Sequence, residues 1–153
     1  MKIIDLLAPN CILPSLVATN KKGVLEELAS TLVPGPDSLS LQTVMEVLLD
    51  RERLGSTGIG DNIAIPHGKL AQLSRLMLSF GRSVKGVDFD SMDGKPSHIF
   101  FMLLAPVNSA GMHLKALAKI SRMLMSHTFR DNLMNAVGVE DIYQLIAERD
   151  AEF

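Results

Sequence analysis

The sequence has a single cysteine and no marked excess of either charge. Only Cys11 carries a thiol, so an internal disulfide and a cysteine-based zinc cluster are both excluded. The 15 basic and 17 acidic residues give a formal net charge of -2. A charge this small provides no field that would gather nucleic acid or an anionic membrane surface. Nucleic-acid partners are therefore not expected.

Long apolar runs are also missing. No stretch approaches the roughly 20 apolar residues that a membrane span requires. Asp5, Pro9 and Asn10 interrupt the amino-terminal segment before it reaches the length of a signal peptide. The composition is 47% hydrophobic, which is enough for a chain of 153 residues to bury a core. We expect one domain over residues 1–153, located in the cytoplasm, with no membrane insertion.

The most informative stretch lies between residues 55 and 69 and reads GSTGIGDNIAIPHGK. Its glycines let backbone N–H groups turn toward an anion, and two hydroxyl side chains add donors, so Ser56, Thr57 and Gly58 are the predicted phosphate-binding residues. The proline before His67 fixes the backbone angle on one side, and the glycine after it leaves the other side without a side chain. His67 is therefore a candidate nucleophile. The alternative is an ordinary glycine-rich surface turn followed by a histidine that ends a strand.

The same stretch does not satisfy the nucleotide-binding motifs. Ile63 stands where a Walker sequence ending at Gly68-Lys69 needs glycine, and Leu70 stands where it needs serine or threonine. Ile63 also occupies the third glycine position of a dinucleotide motif that would begin at Gly58. We therefore expect no nucleotide, and no other cofactor.

The order of the predicted elements favours an α/β fold. Strands are predicted over 12–17, 63–66, 76–84 and 98–105, the first at a sheet edge, the second with His67 at its carboxyl end and the last at the centre. Helices are predicted after Asn20 up to 34–36, after Ser40 up to Gly55, over 111–126, from Thr128 with Asp131 in a capping-box position, and over 139–148. These elements predict a single three-layer domain, a mixed sheet of about five strands with helices on both faces.

The other histidines differ in their predicted surroundings. His113 falls in the first turn of a predicted helix, where an imidazole could donate a hydrogen bond to a phosphate held by free backbone N–H groups, or could simply cap the apolar face of that helix. His98 opens a strand and His127 ends a helix, so both are interpreted as structural. The spacing of the four histidines matches no metal motif, and no metal site is expected.

Arg51 lies near the end of the helix that precedes the glycine stretch, within Asp50-Arg51-Glu52-Arg53. Such a run is ordinarily a solvated charged face. The forked guanidinium of arginine nevertheless suits phosphate oxygens, and this helix end is close in sequence to the predicted phosphate loop. Arg51 is therefore a candidate site residue.

Residues 55–60 (GSTGIG) and 63–69 (IAIPHGK) together resemble the signature of the fructose/mannitol-type enzyme IIA domains of the bacterial phosphotransferase system. Within that superfamily the freestanding length, the lead-in Arg51-Glu52-Arg53 and the absence of attached membrane or IIB segments resemble the nitrogen-regulatory IIA proteins. The resemblance covers essentially the whole chain and is strongest from Arg51 to Lys69 and from Ala105 to Leu117.

This resemblance implies that His67 accepts a phosphoryl group and that Arg51 and His113 are its supporting basic residues. The implied partners are an HPr-like phosphocarrier protein upstream and regulatory targets downstream, such as a potassium transporter or a sensor kinase. Phosphoryl transfer between two imidazoles depends on positioning and charge neutralisation more than on a dedicated base.

Two other functions remain open from the sequence. In the first, the same chemistry serves sugar uptake, and His67 passes its phosphate to a cysteine on a IIB domain. In the second, the chain is a metal- or nucleotide-dependent hydrolase that uses His67, His113 and Asp61, although the ligand spacing and nucleotide motifs argue against it.

Overall fold

A computed structural model describes residues 1–33 and 39–153. The helix end predicted at 34–36 lies outside the described residues. In chain order the elements are a 3-10 turn at Ile3–Leu6, then β1 (Leu7–Leu13), α1 (Lys21–Ser30), α2 (Leu41–Arg53), β2 (Gly58–Gly60), β3 (Ile63–Ala64), β4 (His67–Leu70), β5 (Met77–Val87), β6 (Ser97–Pro106), α3 (Ala110–Met123), α4 (His127–Asn135) and α5 (Val139–Asp150).

The six strands form one mixed sheet in the order β1-β5-β6-β3-β2, and β4 also pairs with β6. The β5–β6 and β2–β3 pairs are antiparallel, whereas β1 runs parallel to β5 and both β3 and β4 run parallel to β6. β6 is central, and nearly all of its side chains are buried. This placement follows from its continuous apolar run, since a strand covered on both faces has no polar side. In the described part of the chain the sheet has six strands, where about five were predicted.

Two neighbouring residues of β5 show that helices cover both faces of this sheet. A side chain on Gly81 would meet Leu28 of α1 at 2.8 Å. The guanidinium of Arg82 instead donates to the carbonyls of Leu133 and Ala136, at the end of α4, over 2.9 and 2.7 Å. Because successive strand residues point to opposite faces, α1 and α4 lie on opposite sides. The predicted α/β class and three-layer arrangement are confirmed.

Three sequence-based element assignments are wrong. The first strand covers 7–13 rather than 12–17, since an edge strand tolerates Pro9 and the chain leaves the sheet at Pro14. Ser126, not Thr128, caps α4, and its hydroxyl accepts from the N–H of Phe129 over 3.1 Å. His127 consequently begins α4, whereas the sequence predicts that it ends a helix.

The amino-terminal turn is held against the last helices by a buried ion pair. The carboxylate of Asp150 is fully buried, pairs with Lys119 Nζ at 2.7 Å and accepts the N–H of Ile4 over 3.0 Å. Lys119 also donates to the carbonyl of Met1 over 2.8 Å. Although burial raises the pKa of Asp150, the hydrogen bonds from Lys119 and the backbone outweigh that effect, and the pKa is lowered from its ordinary value.

None of the helices within residues 1–33 and 39–153 combines the length and the apolar character needed to traverse a bilayer.

Candidate functional site

The carboxyl end of α2 provides one side of the site. Ser40 caps this helix by accepting the N–H of Thr43 over 3.1 Å, and the buried residues Val44, Met45 and Leu48 hold it against the sheet. The helix stops before Gly55, whose φ of 146° lies in the region that only glycine adopts readily. The last turn therefore ends next to the glycine stretch, as the sequence predicts.

His67 lies at the start of β4, directly beneath this helix end. The predicted strand that delivers His67 at its carboxyl end is wrong. β3 stops at Ala64, and β4 begins at His67 itself. Pro66 separates the two strands because it has no N–H for the ladder. Gly68 allows the close approach of α2, since a Cβ there would lie 2.6 Å from Val47 Cγ1.

The two ring nitrogens of His67 have different partners. Nδ1 lies 2.8 Å from the carbonyl oxygen of Ile65. A carbonyl only accepts, so Nδ1 carries the proton and Nε2 keeps its lone pair. The Nε–H of Arg51 donates a hydrogen bond to this Nε2 over 3.3 Å. The imidazole is thus fixed as a neutral ring whose Nε2 carries no proton and accepts from a cation.

The environment of His67 favours this neutral form. Burial lowers the pKa of His67 most, and the charge of Arg51 lowers it further, while the hydrogen bond to Ile65 and the charge of Glu52 act in the opposite direction. The net effect is a pKa below the ordinary value of 6.5. The ring of His67 is therefore in its neutral form at neutral pH, with one proton on Nδ1 and none on Nε2.

His113 comes from the first turn of α3 and lies beside His67, with 5.5 Å between the ring centroids. Its side chain is 6% exposed, and neither ring nitrogen has a hydrogen-bond partner in the described part of the chain. Burial lowers the pKa of His113, with smaller contributions from His67 and Lys69. Buried polar atoms without partners are costly, so this ring is prepared to hydrogen-bond a group that enters the site.

Two contacts fix the guanidinium of Arg51. Its Nη1 donates to the carbonyl of Gly55 over 2.9 Å while its Nε faces His67. The structure thus brings together the three predicted residues His67, His113 and Arg51. Their catalytic roles stay predictions.

The predicted phosphate-binding residues Ser56, Thr57 and Gly58 already have partners inside the protein. The Ser56 hydroxyl donates to the carbonyl of Phe89 and accepts the N–H of Gly58 over 2.9 Å. The N–H of Thr57 donates to Glu52 over 3.2 Å, and its hydroxyl donates to the same carboxylate. These bonds anchor the loop, and its role toward phosphate stays a prediction.

Sequence reasoning missed two charged residues at the site. The charged run of residues 50–53 predicts a solvated face, yet the side chain of Glu52 is only 5% exposed. Its position, four residues after Leu48 and seven after Met45, places it on the buried stripe of α2 and could have revealed this. Lys69 lies two residues after His67 and hence on the same face of β4, and its positive charge lowers the pKa of His113.

No group of three His, Cys, Asp or Glu side chains that could hold a metal ion occurs among residues 1–33 and 39–153. The residue Asp61 lies in the turn between β2 and β3, where its N–H donates to the Asp93 carboxylate over 3.1 Å.

Comparison with known proteins agrees with this architecture. Residues 5–149 match the family described as phosphoenolpyruvate-dependent sugar phosphotransferase system, EIIA 2. The chain belongs to this EIIA 2 family.

Among EIIA 2 relatives, a nitrogen regulatory protein of Bradyrhizobium diazoefficiens is 42% identical over 149 residues, covering 96% of this chain and 95% of the relative. The fructose-specific EIIABC component of Bacillus subtilis is 37% identical over 98% of this chain, which corresponds to 24% of that larger protein. The crystal structure of the nitrogen regulatory protein IIA-Ntr from Neisseria meningitidis superimposes with a TM-score of 0.89 at 35% identity, covering 94% of this chain and 98% of that one. The EIIA 2 assignment therefore extends over almost the whole chain.

Proposed function

We propose that this chain is a cytoplasmic histidine phosphoryl carrier, a single EIIA domain over residues 1–153, which accepts phosphate on His67 from an HPr-like carrier of the nitrogen branch. It regulates target proteins, such as a potassium transporter or a sensor kinase, according to its phosphorylation state. The observation that carries the proposal is the orientation of His67, whose Nε2 carries no proton and accepts the Nε–H of Arg51 over 3.3 Å.

The transfer follows from the tautomer of His67. The Nε2 lone pair attacks the phosphorus of the donor phosphohistidine, a new N–P bond forms, and the donor N–P bond breaks with its electron pair returning to the donor ring. The Nδ1 proton of His67 stays in place, and the carbonyl of Ile65 stabilises the positive charge that the phosphorylated ring acquires. A ring protonated in this way is also a good leaving group, so the phosphoryl group can move onward.

The neighbours of His67 neutralise charge during this step. As the phosphoryl group approaches, the Nε–H of Arg51 gives up its hydrogen bond to Nε2 and donates to a phosphoryl oxygen instead, while Nη1 stays bonded to the carbonyl of Gly55. The unpartnered ring nitrogens of His113 supply a further hydrogen bond to an oxygen. Both residues act by position, as phosphoryl transfer requires.

Four exposed apolar side chains lie on the segments that adjoin the site residues in sequence or by a backbone contact, and we infer that they form an apolar rim that suits a transient protein partner. The rim consists of Leu54, Ile59, Met92 and Met112. Leu54 and Met92 are 84% and 81% exposed, and Met112 directly precedes His113. Exposed apolar side chains grouped around a reactive residue are typical of protein docking surfaces. The donor carrier must bring its own histidine this close, so the rim is its proposed contact surface.

Similarity favours the regulatory role over sugar uptake. The nitrogen regulatory relative matches this chain over nearly the full length of both proteins. That relative is 42% identical to this chain, against 37% for the fructose-specific EIIABC component and 35% for a fructose-specific EIIA component of Haloferax volcanii. A phosphoryl group adds about -1.5 to -2 charge, which is sufficient to change how a nearly neutral surface binds a target.

The test is a transfer assay with purified phosphorylated carriers of the nitrogen and sugar branches. We expect labelling by the nitrogen-branch carrier, loss of labelling in His67→Ala, and normal labelling in the matched control His127→Ala, whose ring is exposed on α4. Undiminished labelling of His67→Ala would remove the mechanism. Onward transfer of the label to a sugar-specific IIB protein would overturn the regulatory assignment in favour of sugar uptake.

A further inference from the structure

Glu52 is a buried carboxylate at the end of α2, next to Arg51, and both of its oxygens are engaged. Oε1 accepts the N–H of Thr57 over 3.2 Å and the ammonium of Lys21 over 3.0 Å. Oε2 accepts the hydroxyl of Thr57. Lys21 is itself fixed by a second ion pair with Asp90 at 3.2 Å. Thr57 is consequently tied to α2 through both its backbone and its side chain.

Two further hydrogen bonds connect Thr57 to His67 through Ile65. The carbonyl of Thr57 accepts the N–H of Ile65 over 3.0 Å. The carbonyl on the other side of Ile65 then accepts the Nδ1 proton of His67 over 2.8 Å. One continuous series of contacts therefore runs from the Glu52 carboxylate to the ring nitrogen that does not react.

We propose that Glu52 is a positioning residue for His67. Through Thr57 it fixes the Ile65 carbonyl, and this carbonyl keeps the proton on Nδ1 so that Nε2 carries none. Glu52 itself touches no reacting atom. Its neighbour Arg51 faces Nε2 from the same helical turn. Two consecutive residues of α2 thus control the two nitrogens of one imidazole, the first directly and the second through the glycine loop.

The test compares Glu52→Ala with the conservative Glu52→Gln and with Glu46→Ala, an exposed glutamate on the same helix. The Gln oxygen still accepts the N–H of Thr57 and its NH₂ group donates to the Thr57 hydroxyl, so this variant keeps the anchor. Alanine removes the anchor. The first readout is the ¹⁵N NMR spectrum of the His67 ring, which distinguishes the Nδ1–H from the Nε2–H tautomer without any phosphoryl transfer.

In the wild type, Glu52→Gln and Glu46→Ala, we expect a single Nδ1–H tautomer. In Glu52→Ala we expect a mixture of both tautomers. The second readout, which depends on the proposed function, is the rate of phosphoryl acceptance. Here kcat should fall between about 10-fold and 100-fold in Glu52→Ala, while KM for the carrier is unchanged because the apolar rim is untouched.

A folded Glu52→Ala protein with a single Nδ1–H tautomer and a wild-type kcat would overturn the inference. If Glu52→Ala does not fold, Glu52→Leu decides by the same readouts, since it removes both acceptor oxygens and keeps the buried volume. Wild-type tautomer and kcat in Glu52→Leu would then refute the inference. An unlabelled wild-type protein would refute the proposed function alone, because the tautomer measurement would still test the role of Glu52.

Discussion

The close approach of α2 to β4 at Gly68 gives a stability prediction whose sign can be worked out from the structure. Gly68 has no positive φ, so Gly68→Ala would stabilise the protein by about 0.4–1 kcal/mol if the new methyl group had room. The methyl carbon would instead lie 2.6 Å from Val47 Cγ1, on a β-branched side chain that turns only with difficulty. Overpacking of this kind costs about 1–3 kcal/mol, so we expect net destabilisation.

Urea unfolding followed by circular dichroism measures this effect. The overpacking cost less the gain leaves a net loss of up to about 2.6 kcal/mol, so with an m value of about 2 kcal/mol/M the midpoint of Gly68→Ala should fall by up to about 1.3 M. Val47→Ala removes the opposing methyl groups and costs about 1 kcal/mol by itself, since this side chain is only partly buried. In the double variant the two costs should be less than additive by about 1 kcal/mol or more.

Gly111→Ala is the matched control, because nothing lies within 4 Å of a Cβ at that helical position. It should stabilise the protein by about 0.5–1 kcal/mol, opposite in sign to Gly68→Ala. A Gly68→Ala protein as stable as the wild type, or more stable, would refute the steric argument. So would additive costs in the double variant.

Three further predictions concern the site and the ion pair. Arg51→Gln should slow phosphoryl acceptance by about 10²–10³-fold in a rapid-quench assay, and a loss below about threefold would contradict its role at the oxygens. The pKa values of His67 and His113 are lowered from the ordinary value of 6.5. Near and below pH 6.5 the unfolded chain therefore binds more protons than the folded chain, so the free energy of unfolding should decrease as the pH is lowered from 7.5 to 5.5. A urea midpoint that increases as the pH is lowered from 7.5 to 5.5 would contradict this prediction. Lys119→Met leaves the buried carboxylate of Asp150 without a cation and should cost about 3–5 kcal/mol in urea unfolding, part of which Asp150→Asn should recover in the same background.

The parts of the fold that could be predicted are those in which a local pattern determines the outcome. The apolar run of β6 predicts a central strand, and Ser40 with the stripe of α2 predicts a capped helix ending near Gly55. The start of α4 was wrong because two hydroxyl residues compete for the cap. The choice of Ser126 places Phe129 and Leu133 together on the buried face, which is a tertiary requirement.

For the candidate site, the sequence predicts which residues take part but not their hydrogen-bond partners. His67, His113 and Arg51 were identified from residue types, flanking residues and a family resemblance, and the structure brings them together. The tautomer of His67 could not be predicted, because it depends on a carbonyl two residues earlier that is oriented by the loop. Nor does the sequence show that the donors of Ser56 and Thr57 are already used within the protein.

The unequal lengths of the strands have a consequence for dynamics. β6 has ten residues and neighbours on both sides, whereas β2 and β3 have three and two residues at the far end of the sheet. Amide protons of β6 should therefore exchange with solvent only when the entire protein unfolds, while those of β2 and β3 exchange through local opening. Residues 58–64 can then open locally while β6 stays paired with β4, the strand that carries His67.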